Sequence, residues 1–154
     1  MENLDIISLL LRLVTGTLFF FQGYDKIFKV KIINVVRTFN DPANPFIWPQ
    51  YFLKPLIAIS SFAEMIGGIF LFLGLFKYIT LSVLSLDLLF VAFSFSSIKA
   101  MWDMQYFFPR FLFILLIWAI PFSADVYNLD YLFKLSFWLK LDLPIITLVV
   151  SVFF

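Results

Sequence analysis

The sequence predicts an all-α fold, a bundle of four transmembrane helices, and three observations carry that expectation. The chain of 154 residues is 63% hydrophobic, with a mean hydropathy of +1.02. Charged residues make up only 14% of it, where a soluble domain is about half apolar and a quarter charged. The apolar residues also fall into four runs near the ~20 residues that a helix needs to cross hydrocarbon. A soluble chain of this length could not hide so much apolar surface.

The first run covers about 6–24, the second 55–76, the third 78–98 and the fourth 106–122. Backbone groups in lipid must be satisfied within their own segment, so each run is expected to be a helix. Glu2 and Asp5 stand where a signal peptide carries basic residues, and no small-residue cleavage site follows. The first run is therefore expected to be a span. Only Lys77 separates the second run from the third, which predicts a tight antiparallel hairpin. The first loop, 27–54, is longer. It mixes Lys29, Lys31 and Arg37 with Ile, Val and Phe, as an interfacial helix does. Asn40-Asp41-Pro42-Ala43-Asn44-Pro45 then breaks it. This loop is either an ordinary anchored connection or a lid over one mouth of the bundle. Residues 123–154 form a C-terminal interfacial segment and an apolar tail, 143–154, too short to cross alone. The whole of 1–154 reads as one membrane domain.

Composition also excludes function classes. Net charge is +1, so no field would recruit nucleic acid. Cysteine and histidine are both absent. Disulfides, thiol redox chemistry, Cys- or His-held metals and any Ser-His or Cys-His pair are therefore excluded. No intrinsic cofactor is expected, and a redox reaction would need a borrowed one, such as a quinone, or a partner subunit.

Ionisable side chains inside a span cost ~2.5–3.5 kcal/mol each on insertion scales, and they face the bundle interior. Arg12, Glu64 and Asp87 are the three, at depths that differ by less than ~10 Å at ~1.5 Å per residue. One polar network of all three is expected. One Arg with two carboxylates leaves a surplus acid, as in a proton-handling or ligand-binding centre. A structural ion pair that fixes helix register is the alternative. Gly16 and Gly23 on the first run, with Gly67, Gly68 and Gly74 on the second, are expected at close helix contacts. Gly16, Phe19, Gly23 and Lys26 obey G-x2-F-x3-G-x2-K, as do Gly67, Phe70, Gly74 and Lys77. This is either an inverted repeat or a chance match in a Phe-rich chain. Gln22, Lys26, Trp102 and Arg110 are expected near one membrane face. There they form either a rim for a quinone or lipid headgroup, or an ordinary interface belt.

Lys26, Lys29, Lys31, Arg37, Lys54 and Lys99 fall on the face of the first and third connections, against Lys77, Lys134 and Lys140 on the other. Positive-inside bias puts the long first loop in the cytoplasm, in a bacterial cytoplasmic membrane.

The motifs resemble the DoxX family of small four-helix membrane proteins. Arg12, Gly16, Phe19, Gly23 and Lys26 are similar to the family's opening R-x3-G-x2-F-x3-G-x2-K. Glu64, Gly67, Gly68, Leu71 and Gly74 are similar to its E-x2-GG-x2-L-x2-G. Ser123 to Asp130 resembles its Gly-rich turn ending in S-L-D, with both glycines missing and Asn128 in place of Ser. The resemblance implies a membrane subunit of an oxidoreductase complex that faces quinone, since the family's best-known member is the membrane subunit of a thiosulfate:quinone oxidoreductase. A non-enzymatic scaffold or assembly subunit, working with other membrane subunits or as a homo-oligomer, is the second reading. A small transporter, resting on the repeat alone, is the third.

Overall fold

The structure, a computed structural model, describes residues 2–41, 48–97, 104–121, 125 and 127–132. Every regular element among these residues is helical. Helix α1 runs Glu2–Tyr24 and continues into a π-helical turn, Asp25–Lys29. Helix α2 is Ile32–Phe39, α3 is Gln50–Leu73, α4 is Lys77–Ser96, α5 is Met104–Ala119 and α6 is Leu129–Leu132.

Three helices are long and apolar enough to cross a membrane: 3–29, 50–73 and 77–96. The apolar part of α5, Phe107–Ala119, is shorter. The helices outrun the apolar runs at their ends. Helix α3 starts five residues before Pro55, which is inside it. Proline there removes the bond to the Tyr51 carbonyl. Tyr51 is 85% exposed, where water can take up that acceptor.

Helix α3 ends on Gly74, at φ +69°. Leu75 N–H bonds the Phe70 carbonyl at 2.8 Å, the closing bond of a Schellman cap. Residues 74–76 are the whole connection, so α3 and α4 form the tight hairpin expected from Lys77. Helices α1, α3, α4 and α5 pack in a closed ring, α1 on α3, α3 on α4, α4 on α5 and α5 on α1. The α1–α3 seam is the closest. A Cβ on Gly16 would lie 2.7 Å from the Gly68 carbonyl oxygen, and one on Gly23 2.5 Å from the Ser61 carbonyl oxygen. Gly67 turns instead to Leu84 on α4.

Phe19, Leu71, Leu81, Leu84, Leu88, Ile114 and Ile117 form the fully buried apolar centre of the ring. Leu10, Phe21, Ile59, Leu86 and Phe93 are more than half exposed and cover the outside, as lipid-facing side chains do. Helix α2 lies across one end. Its Val36 and Phe39 pack on Leu53 and Ile57 of α3, with Phe95 of α4 alongside.

Candidate functional site

Two buried polar clusters occupy opposite ends of the ring. The first lies toward α2. Glu64, on α3, has a fully buried side chain and receives Lys26 Nζ at 2.8 Å on Oε1 and 2.7 Å on Oε2. Gln22 Nε2 donates to the same Oε1 at 2.8 Å. Asp87, on α4, lies against Ser60 and Glu64 and within electrostatic reach of Lys26. Its Oδ2 is buried with no hydrogen-bond partner among the described residues. Arg110, half-buried on α5, is within electrostatic reach of Glu64. Gln22 and Lys26 come from α1 and its π turn, so four elements supply this cluster. A cavity of about 40 Å³ lies between it and α2, lined by Lys26, Ser60 and Ser94 together with Val35, Phe39, Leu53, Ile57 and Phe95.

The second cluster lies at the α3–α4 turn. Asp125 takes Arg12 Nη2 on Oδ1 and Lys77 Nζ on Oδ2, each at 3.2 Å, and all three side chains are buried. Arg12 also donates to the Tyr127 carbonyl, and Lys77 to the Ile120 carbonyl at 3.2 Å. Asp130 accepts the backbone N–H of Phe76 at 3.0 Å and of Lys77 at 3.2 Å. These N–H groups open α4, where a helix leaves donors unsatisfied and favours a carboxylate. The arrangement joins Asp125 and residues 127–130 to α1 and to the hairpin, with its charges balanced inside.

The geometry is thus a helical ring with an Arg on α1, a Glu followed by Gly67-Gly68 on α3, and glycines along the α1–α3 seam. The DoxX family model matches residues 7–97, more than half of the chain. The chain belongs to the DoxX family. No curated protein and no solved structure matches it. With the family and three long apolar helices, the DoxX chain is an integral membrane protein. The match takes in Arg12, Lys26, Glu64 and Asp87 and ends before Asp125, so the turn that resembles the family's third motif lies outside it.

The DoxX chain does not gather Arg12, Glu64 and Asp87 into one network. Glu64 and Asp87 are level, Glu64 ten residues before Gly74 and Asp87 ten after Lys77. Arg12 is not level with them. Its guanidinium reaches Gly74, where even a Cβ would collide with Nη1, which puts it ~15 Å from Glu64 along α3 at ~1.5 Å per residue. The first cause is register: α1 packs with Gly16 against Gly68 and Phe72 and Gly23 against Ser61 and Met65, so the Arg12 backbone already lies toward the hairpin turn. Side-chain direction adds to the separation. Helical side chains lean toward the helix N-terminus. On α1 that lean carries Arg12 out toward the hairpin turn and Lys26 inward, while on antiparallel α3 it carries Glu64 toward Lys26. The cation that serves Glu64 is therefore Lys26. Gln22 and Lys26, both half-buried, bond Glu64 in this cluster, and Trp102 lies outside the described residues.

Gly74 is a helix terminator, not a helix contact. The paired G-x2-F-x3-G-x2-K stretches differ locally, since Gly23 is helical and Gly74 is not. Asp125, Lys77, Asp130 and Ser60 are polar members of the two clusters that sequence reasoning missed. Asp125 and Asp130 do carry a signal, because both sit in the Ser123–Asp130 stretch.

Proposed function

We propose that this DoxX protein is a membrane subunit associated with an oxidoreductase complex, and that it offers a proton or quinone-headgroup site at Lys26, Glu64 and Asp87. The observation that carries the reading is one buried cluster with two carboxyl groups and a single bonded ammonium. Register could be fixed by one ion pair, so a second buried carboxyl beside Glu64 is costly unless it is used. The acids can hold or release a proton, and Lys26 and Gln22 can donate to a carbonyl oxygen. In this reading α5 is the fourth span, residues 1–154 are one membrane domain, and α2 with its flanks is a lid over the mouth. The first loop faces the cytoplasm of a bacterial cell. The lack of Cys and His leaves electrons to the quinone and to a partner subunit.

The test is purification in mild detergent followed by extraction of bound quinone. The parent protein is expected to retain quinone. Glu64→Gln, which keeps the shape and removes the charge, is expected to lose most of it while staying folded. Parent protein that carries a stoichiometric membrane partner and no quinone would replace this reading with that of a scaffold or assembly subunit.

A further inference from the structure

The two clusters differ in what separates them from water. Between them lies the layer of Phe19, Leu71, Leu81, Leu84, Ile114 and Ile117, every one fully buried. Its thickness follows from the chain. Glu64 and Gly74 are ten residues apart on α3, or ~15 Å of helix. Beyond it, Arg12, Lys77 and Asp125 close the end at the hairpin turn with paired charges. Toward α2 the situation is different. There the apolar contact of Val36, Phe39, Leu53 and Ile57 encloses the 40 Å³ cavity, with Lys26, Ser60 and Ser94 on its wall. A cavity needs ~10–15 Å³ to hold a water; this one is large enough, and its mostly apolar wall carries the polar groups of Lys26, Ser60 and Ser94. The two carboxyl groups reach the cavity through its polar wall: Asp87 lies against Ser60 and Glu64 accepts from Lys26.

The helix that covers the cavity is joined to its neighbours by strained and irregular backbone. Lys31, just ahead of α2, has φ +67°, a conformation that non-glycine residues adopt under strain. The π turn 25–29 precedes it, and such turns are rare and cluster at functional sites. At the other end, both side-chain amide atoms of Asn40 are buried without a hydrogen-bond partner among the described residues. The cover rests chiefly on Val36 and Phe39, with the Phe39 and Phe95 rings 4.9 Å apart.

We propose that Glu64 and Asp87 exchange protons and small solutes with one membrane face only, the face of α2, through the cavity beneath that helix. The Phe19 layer is the barrier to the other face. Resting on the site reading above, this gives the site a direction: protons taken up or released there come from, or go to, the α2 side.

Accessibility of single cysteines tests it, because the chain has none of its own. Lys31→Cys and the exposed Tyr127→Cys mark the two faces for an impermeant cationic methanethiosulfonate, in intact cells and in inverted vesicles. Asp87→Cys, and Ser94→Cys should the first fail to fold, are expected to react from the Lys31 face alone. Phe39→Ala in either background is expected to speed that reaction about tenfold or more, by easing local opening of α2. Phe19→Ala is expected to add reaction from the Tyr127 face. Reaction from the Tyr127 face with Phe19 in place would overturn the proposal, as would no reaction from either face with Phe39→Ala. The readout needs no quinone, so loss of the quinone reading and loss of one-sided access are separate results.

Discussion

Removing Asp125 should be among the most damaging single changes in this protein. Its carboxylate is the shared partner of two cations, Arg12 and Lys77, with relative side-chain exposures of 1% each and 0% for Asp125 itself. Breaking a buried ion pair from one side costs about 3–5 kcal/mol, because an uncompensated charge stays behind. Two cations are left here, yet the cost should not double. Arg12 keeps the Tyr127 carbonyl and Lys77 the Ile120 carbonyl, and either side chain can draw in water. At ~2–4 °C per kcal/mol for a chain of this size, Asp125→Ala should lower the melting temperature in detergent by roughly 6–20 °C. Replacing Arg12, Lys77 and Asp125 together with apolar residues should recover much of that loss, since buried ion networks are often matched by packed apolar side chains. Thermal scans of the parent, Asp125→Ala and the triple variant by intrinsic Trp fluorescence check this. If Asp125→Ala melts within about 2 °C of the parent, about one kcal/mol or less on the same scale, the cluster does not hold Asp125 and residues 127–130 in place. The reasoning would then be wrong.

Gly16→Leu should also destabilise, by about 1–3 kcal/mol as overpacking does. Its Cβ alone would meet the Gly68 oxygen and the Phe72 nitrogen at 2.7 Å each, and a melting temperature equal to the parent's would mean that the α1–α3 seam is not held this close. Asp130→Ala should cost about 0.5–2 kcal/mol, the range for losing a helix N-terminal cap, read as a smaller melting shift than that of Asp125→Ala. A cysteine at Asn44 should be shielded from an impermeant thiol reagent in intact cells and one added after Phe154 labelled; the reverse pattern would invert the orientation and leave the helices as they are.

The three long helices were legible because a run of apolar residues is a property of composition, read without knowing any contact. The tight α3–α4 hairpin was legible for the same reason, since a single charged residue left no room for a loop. The ends were not. Helix α1 and its π turn continue to Lys29 and α3 begins at Gln50, because a helix does not stop where hydrocarbon stops. The partner of each buried charge was the hardest part. Sequence gives the depth of a Cα, whereas an ion pair forms between side-chain ends several ångströms away. Counting from the ends of the apolar runs also misplaces the register: Gly16 packs on Gly68 and Phe72 and Gly23 on Ser61 and Met65, so the Arg12 backbone already lies toward the hairpin turn, and the opposite leans of side chains on antiparallel helices widen the gap. Lys26 begins nearer the surface and converges on Glu64. The rule behind this needs the register of the spans as well as their direction. For an acid and a base on antiparallel spans, the pair that meets is the one whose N-terminal leans point toward each other. In this chain that criterion selects Lys26 for Glu64 and leaves Arg12 for a group beyond the hairpin turn, which is where Asp125 stands.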